Sequence, residues 1–381
     1  MGDRVTTETG LVLTLTGLVL FGLIMVASSS FATAQALYGQ PHYFLAKQLF
    51  AALVGCLALW VCRQIDYKWW ANSDLILLAA TIGLTALTFI PALAPDRQWL
   101  KLGPIAVQPT EFIKFALVVY LSAFLIRKAH AIQRFTDGLL PPLIIGGIAA
   151  GLAALQPDFG MLLVFSAIVL FMLFLGGARL WHLGGLLLAT VPVIFVMTIS
   201  APYRMGRLMA FLDPFKYSTS EGYQLIQSLV AIGSGGPWGR GLGESSQKLL
   251  YLPQSYNDFI FAIVGEELGL WGSILVVSLF AYLAYLGVQV ALRAPDRFGM
   301  YLAAGITFSL VLQAAINMGV ATGIMPVTGL TLPFISYGGS SLILSMGMAG
   351  VLLNIAKQSE GRPARVEELK RTREPKIAWG R

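Results

Sequence analysis

The sequence predicts an all-α polytopic membrane protein of about ten transmembrane helices, with a long outer loop between helices seven and eight. Three observations carry this. The 381 residues are 56% hydrophobic but only 12% charged, about half the charged share of a soluble domain. Mean hydropathy is +0.73. Apolar windows of about 20 residues, the length that crosses a bilayer core, recur along the chain.

The predicted spans are 10–29, 44–62, 75–93, 110–127, 139–155, 159–176, 180–200, 259–290, 299–321 and 340–356. They form one membrane domain, 1–356, followed by a basic tail, 357–381. The first run is long and lacks a small-residue cleavage pattern, so it reads as a span rather than a cleavable signal peptide. The eighth is too long for one straight crossing. Gly265, Gly269 and Gly272 predict a kink or a partly interfacial first half there. Ten spans put both termini on one side of the membrane. With the termini cytoplasmic, 17 of the 26 Lys and Arg residues lie inside, eight of them in the tail, which is the orientation the positive-inside rule selects. The net charge of +7 then needs no nucleic acid, because a basic tail faces anionic headgroups. Cys56 and Cys62 are six apart on one helix and point to different faces, which suggests neither a disulfide nor a metal site.

The outer loop, 201–258, is the largest piece outside the spans. In "YRMGRLMAFLDP", Met205, Leu208, Met209 and Leu212 fall at i, i+3, i+4 and i+7, flanked by Arg204 and Arg207. This predicts a short helix on the outer leaflet, ended by Pro214. "GYQLIQSLVAI" is a second amphipathic piece. "GSGGPWGRGLG", 233–243, fits tight turns as well as ligand contact; it follows no strand and lacks the G-x-G-x-x-G spacing of a dinucleotide site. Tyr223, Trp238, Tyr251 and Tyr256 are expected to anchor the loop. No G-x-x-x-x-G-K-[ST] motif is present, which argues against ATP-driven transport by this chain alone.

Ionisable groups inside or beside spans are functional candidates. Span four opens "VQPTEFIK", placing Glu111 and Lys114 three apart on one face. The plainer reading is an internal ion pair that lets the helix insert; the sharper one is a pair facing a polar cavity. Asp158, in "LQPDFG", is either a turn or cap residue or a functional acid. Lys47 opens span two, where snorkelling is expected. Asp258 closes the polar loop before "FIFAIV", and Glu266 and Glu267 suit capping or interhelical bonding around the glycines. Asp258, Glu111 and Asp158 thus share one membrane face with Lys114, Arg97 and Lys101. A solute transporter would place such groups nearer the midplane. Their position at the outer mouth suits a substrate with a polar head at the surface and a tail in lipid.

Several segments carry a specific resemblance. "GIMPVTGLTLPFISYGGSSL", 323–342, is similar to the signature of the SEDS family (shape, elongation, division and sporulation proteins such as FtsW and RodA). "RQWLKLGPIAVQPTEFIK", "QPDFG", "GYQLIQSLVAIGSGGPWGRGLGESSQKLLYLP" and "DFIFAIVGEELG" resemble family segments in the same order, over nearly the whole chain. "GLTLPFISYGG" is closer to the division branch and Val327-Thr328 to the elongation branch; the division side is preferred. The family commonly has Pro-Glu-x-His-Thr-Asp before "FIF", where this chain has Pro253, Gln254, Ser255, Tyr256, Asn257 and Asp258.

The resemblance implies a peptidoglycan glycosyltransferase of the bacterial inner membrane that polymerises lipid II. Its partner would be a class B penicillin-binding protein within the division or elongation machinery. The family's essential loop acid falls on Asp258, its span-four pair on Glu111 and Lys114, and its Gln-Pro-Asp acid on Asp158. Ser336, Tyr337, Gly338, Gly339 and Ser340 match the last signature. As a hypothesis, Asp258 is the general base for attack of a sugar 4-hydroxyl, with inversion. The leaving pyrophosphate would be stabilised by Lys114, by outer-loop cations such as Arg97, Lys101 or Lys248, or by a divalent cation, Mg or Mn. A lipid II flippase and a non-catalytic scaffold are the competing classes.

Overall fold

The computed structural model describes residues 6–102, 105–156, 158–199 and 202–359. Nearly all of the expected 357–381 tail, and Pro157, lie outside the described residues. The chain is an all-α bundle with helices α1 (Thr7–Tyr38), α2 (Tyr43–Gln64), α3 (Lys68–Asn72), α4 (Asp74–Leu87), α5 (Pro109–Arg127), α6 (Leu140–Leu155) and α7 (Phe159–Leu175). It continues with α8 (Leu180–Ile199), α9 (Pro202–Leu212), α10 (Tyr223–Gly235), α11 (Ile260–Arg293), α12 (Arg297–Ala321) and α13 (Gly339–Ser359).

Among the described residues, seven helical stretches are long and apolar enough to cross a membrane: α1, α2, α5, α6 with the turn before it, α11, α12 and α13. The shorter apolar helices α4 and α7, with α8, occupy the remaining predicted spans. α5 and α13 are almost wholly enclosed, while Leu53, Ile76 and Leu188 project outward from α2, α4 and α8. Apolar side chains on the outer surface of a bundle are what a lipid solvent selects.

The first span, expected over 10–29, runs as a helix to Tyr38, and two further expectations of local structure are corrected. The third span, expected to reach 93, ends as a helix at Leu87 and continues in turns. The stretch before α5 forms an antiparallel hairpin, β1 (Leu100–Leu102) and β2 (Ile105–Val107), with Lys101 opposite Ala106. Three-residue strands leave too short an alternation to be read against neighbouring apolar runs.

The expected break in the eighth span lies at Gly269, which has φ 66° and ψ −157° inside α11. Its cause is a swap of hydrogen-bond partners with the glycine run. A regular helix would bond Leu270 N–H to Glu266 O and Trp271 N–H to Glu267 O. Instead Leu270 donates to Gly236 O (2.9 Å) and Trp271 to Pro237 O (3.5 Å), while Glu266 O and Glu267 O accept from Arg240 and Gly241, both at 3.0 Å. The run 236–241 therefore satisfies the groups that the break exposes. It needs glycine because the backbones interlock: a Cβ on Gly239 would stand 2.2 Å from Glu267 O, and one on Gly269 2.3 Å from Gly239 N.

Gly269→Ala is expected to lower stability by about 2 kcal/mol or more, from the left-handed φ and the steric overlap together. Gly233→Ala, in open space on α10, serves as the control and should be neutral or mildly stabilising. Thermal unfolding of the detergent-solubilised chain measures both, and equal midpoints for the two variants would remove the interlock as a source of stability.

Candidate active site

The polar loop before α11 is latched to the turn before α13 by direct hydrogen bonds. Ser336 Oγ donates to Asn257 O (2.6 Å) and accepts from Leu332 N–H (2.8 Å). Tyr337 N–H donates to Tyr256 O (2.9 Å). From α12, the buried Asn317 amide donates both to Asp258 O (2.8 Å) and to Leu330 O (2.6 Å). From α2, the buried Gln48 grips the turn at two points, donating to Ser336 O (3.0 Å) and accepting from Gly338 N–H (3.2 Å). α12 and the turn before α13 thus hold the backbone that carries Asp258, and α2 holds that turn.

The Asp258 carboxyl itself is not tied down. Its Oδ1 is buried and has no hydrogen-bond partner among the described residues. Burial pushes its pKa up to about 6, against a lowering by Arg207. Gly329, with φ 77°, is a neighbour of Oδ2: a Cβ there would make ordinary van der Waals contact with it at 3.7 Å.

Asp158 belongs to the same electrostatic neighbourhood. As the N-cap of α7 its Oδ1 accepts from Met161 N–H (2.9 Å), and Oδ2 accepts from Gln108 (3.2 Å). Burial pushes it up to about 7, and the fields of Glu111 and Asp258 add to the rise. It is therefore a cap and also a poised acid. Gln108 N–H, at the start of α5, donates to Ser340 Oγ (3.0 Å). A cavity of about 270 Å³ opens alongside, lined by Lys47, Trp99, Gln108, Asn257, Tyr337 and Ser340 among others. Lys47 lies over the Tyr43 ring at 4.5 Å. Tyr256 stacks on Phe44 at 4.5 Å between ring centroids. Burial holds the Tyr337 phenol at about 12, so it stays a neutral donor.

Glu111 and Lys114 form a buried ion pair. Lys114 is 0% and Glu111 2% exposed. The ammonium donates to Glu111 (2.8 Å) and to Gln313 of α12. Gln313 passes the network on to Thr331 O (3.0 Å), and Thr331 to Ser341 (2.9 Å). The pair braces the signature turn from below and lines no part of the cavity.

The other predicted cations are not gathered around Asp258. Lys248 is buried and engaged by Glu267 (2.8 Å) and Ser28 (3.0 Å), because an unpaired ammonium there would be costly. Glu266 accepts from Ser246 N–H (3.0 Å), Ser246 Oγ (2.9 Å) and Gln247 N–H (3.3 Å). Both glutamates fasten the loop beside the break in α11. Arg97 is exposed in a turn with φ 56°. Lys101 faces Asp96 at 3.7 Å with both side chains more than half exposed, a pairing of small energetic weight. Trp238 and Tyr251, expected as loop anchors, are 80% and 57% exposed. Sequence reading missed Gln48, Gln313 and Asn317. Their signal was present, since each is an uncharged polar residue within a predicted span.

Residues 9–361 match the FtsW/RodA/SpoVE family of cell cycle proteins. The chain belongs to this family. Among FtsW/RodA/SpoVE relatives, it is 41% identical to a probable peptidoglycan glycosyltransferase FtsW of Legionella pneumophila, over 89% of this chain and 88% of the relative. It is 40% identical to stage V sporulation protein E of Bacillus subtilis, over 90% and 94%. Solved structures agree on the fold. A chain from work on structural coordination of polymerization and crosslinking by a peptidoglycan synthase complex superposes with a TM-score of 0.76 at 28% identity, over 92% of this chain and 98% of that one. The rod shape determining protein RodA of Thermus thermophilus gives 0.64 at 26%, over 92% and 97%.

The raised acids make a stability prediction. A carboxyl whose folded pKa exceeds its unfolded value binds more protons when folded, so its contribution is present at low pH and is lost as pH rises through the folded value. For Asp158 that loss runs up to about 7. Asp158→Asn keeps a good helix cap and removes the buried charge. It is expected to raise the thermal midpoint at pH 8 and much less at pH 5. Equal gains at both pH values would contradict the burial of this charge.

Proposed function

We propose that the chain is a peptidoglycan glycosyltransferase that polymerises lipid II, with Asp258 as the general base. The observation that carries this reading is a carboxylate oxygen, buried and unpartnered among the described residues, on a loop immobilised from three sides. The acceptor sugar's 4-hydroxyl oxygen attacks the anomeric carbon of the donor. Its proton passes to Asp258 as the carbon–oxygen bond to the lipid pyrophosphate breaks, and that bond's electrons leave with the pyrophosphate. A single displacement inverts the anomeric centre.

A pKa of about 6 suits a general base, because the group is mostly ionised at neutral pH yet more basic than a free aspartate. Asp158, near 7, carries a proton part of the time and suits a hydrogen bond to a sugar hydroxyl. The cavity beside Lys47 and the signature turn is wide enough for part of one headgroup. Glu111 and Lys114 act through structure, enclosed rather than lining the polar path that a lipid II flippase needs.

Among the described residues no group of three or more His, Cys, Asp or Glu side chains is arranged to hold a metal ion. The proposed steps run through the chain's own side chains. The protein is a multi-pass membrane protein, here assigned to the bacterial inner membrane with both termini cytoplasmic, on the Lys and Arg distribution. A class B penicillin-binding protein is proposed as partner, supported by the likeness to a chain of a peptidoglycan synthase complex.

Purified chain with such a partner, given lipid II in liposomes, is expected to make glycan polymer. Asp258→Asn should lower the rate by about 10²–10⁴ with folding intact. Equal polymer from wild type and variant would sink the mechanism, and no polymer from wild type would sink the activity. The wild-type kcat/KM should also rise with pH through about 6 and then level, since the base works ionised. A profile flat between acid and mildly alkaline pH would assign the proton to another group.

A further inference from the structure

The head of α2 carries a lysine without a counter-charge. Lys101, Lys114 and Lys248 each face a carboxylate. Lys47 forms no ion pair among the described residues. Its ammonium lies over the Tyr43 ring at 4.5 Å, and Tyr43 is stacked on Tyr38 at 3.8 Å between ring centroids. A snorkelling lysine needs only water at its tip. Lys47 instead lines the cavity of about 270 Å³ beside the signature turn.

The walls of that cavity narrow the choice of ligand. No Asp, Glu, Arg or His is among the described residues that line it, so Lys47 supplies its formal charge. Trp99 and Tyr337 add an indole N–H and a phenol O–H, neither with a hydrogen-bond partner among the described residues. Gly338 gives α13 no side-chain cap, so the N–H groups of Gly339, Ser340 and Ser341 in the same wall have no partner within their helix. They add to the positive potential. From the loop before α11, Asn257 contributes an Oδ1 that is buried and unpartnered among the described residues. It directly precedes Asp258. Phe50 and Ile343 make another part of the wall apolar, and Phe50 is 57% exposed on the outer surface of α2. The cavity thus combines donors for an anion, an acceptor for a hydroxyl beside Asp258, and an apolar way out to lipid.

We propose that this cavity binds the pyrophosphate of a polyprenyl-linked substrate, with Lys47, Trp99 and Tyr337 donating to its oxygens. The proposal rests on the glycosyl-transfer reading, in which the sugars are carried on lipid pyrophosphate. The tail leaves over Phe50, and the first sugar meets Asn257 Oδ1, one residue from the base. Lys47 suits the task as a point charge with three rotatable donors. Engaging it strips no carboxylate of a partner, which is the penalty that using Lys114 or Lys248 would carry.

The test uses an unreactive probe, a polyprenyl pyrophosphate without sugar, in phosphatidylcholine vesicles holding the full-length chain. Wild type should bind it, and Lys47→Ala should weaken binding about 10–100-fold, the effect of losing charge-assisted hydrogen bonds. Lys47→Arg should keep most of the affinity, and Tyr337→Phe should cost about 2–10-fold. Ala106→Trp, which fills the cavity from β2, should lose binding with Lys47 intact. Inorganic pyrophosphate should compete only weakly, and excess phosphatidylglycerol should not displace the probe. Wild-type affinity in Lys47→Ala overturns the proposal, as does wild type failing to bind the probe. Lys47 is exposed, so its replacement is expected to fold; wild-type affinity in Ala106→Trp overturns the proposal independently. Displacement by phosphatidylglycerol would replace the pyrophosphate site with a general site for lipid phosphates. Inorganic pyrophosphate binding as tightly as the probe would remove the tail from the site. Binding is read without turnover, so failure of the glycosyl-transfer reading shows up separately, as Asp258→Asn polymerising normally.

Discussion

The backbone around Asp258 must satisfy its polar groups at the end of an apolar bundle, and the rest of the site depends on how it does so. An unpaired buried carbonyl or amide there would cost about as much as a lost hydrogen bond. The chain answers with side chains distant in sequence: Asn317 of α12 holds Asp258 O and Leu330 O together, and Ser336, in the turn before α13, holds Asn257 O. Gln48 fixes the turn from which Ser336 and Tyr337 work. The carboxyl is left with an unpartnered oxygen because its neighbours absorb the bonding demands of the backbone. A rigid loop carrying a reactive group on well-packed helices is how a site holds catalytic geometry.

The break in α11 serves the same end from the other side. A continuous helix from 260 to 293 would have no exposed backbone groups with which to hold the outer loop. By exchanging partners at Gly269, α11 gives the 236–241 run four backbone hydrogen bonds. Glu266 and Glu267, in the turn before the break, add side-chain anchors for residues 240–248. The loop that leads to Asp258 is therefore built into the bundle at both of its ends. The glycines are required by this interlock, which explains a composition that otherwise reads as a flexible linker.

The membrane class was legible in the sequence through apolar length alone, and the spans came out near the observed helices because a bilayer tolerates few alternatives. The break was legible too, since an apolar run from 259 to 290 containing three early glycines cannot cross straight. Which glycine breaks was not, because the choice is made by Gly239 across a loop. At the site, the acids were legible as charges in costly places. The reach of each cation was not. Lys114 and Lys248 read alike in the sequence, and only the structure shows that each is buried against a glutamate. Gln48, Gln313 and Asn317 were overlooked since an uncharged polar residue in a span stands out less than a charge. The hairpin at 100–107 escaped because its strands are shorter than any periodicity test.

The electrostatics of the mouth then follow from two opposed influences on one carboxyl. Burial alone would drive Asp258 toward the neutral acid, which cannot accept a proton. A dominant cation would hold it ionised but quench its basicity. The arrangement lies between these extremes. Desolvation raises the group, and the field of Arg207 pulls it part of the way back. The guanidinium thus helps keep the base ionised, while burial keeps it more basic than a free aspartate.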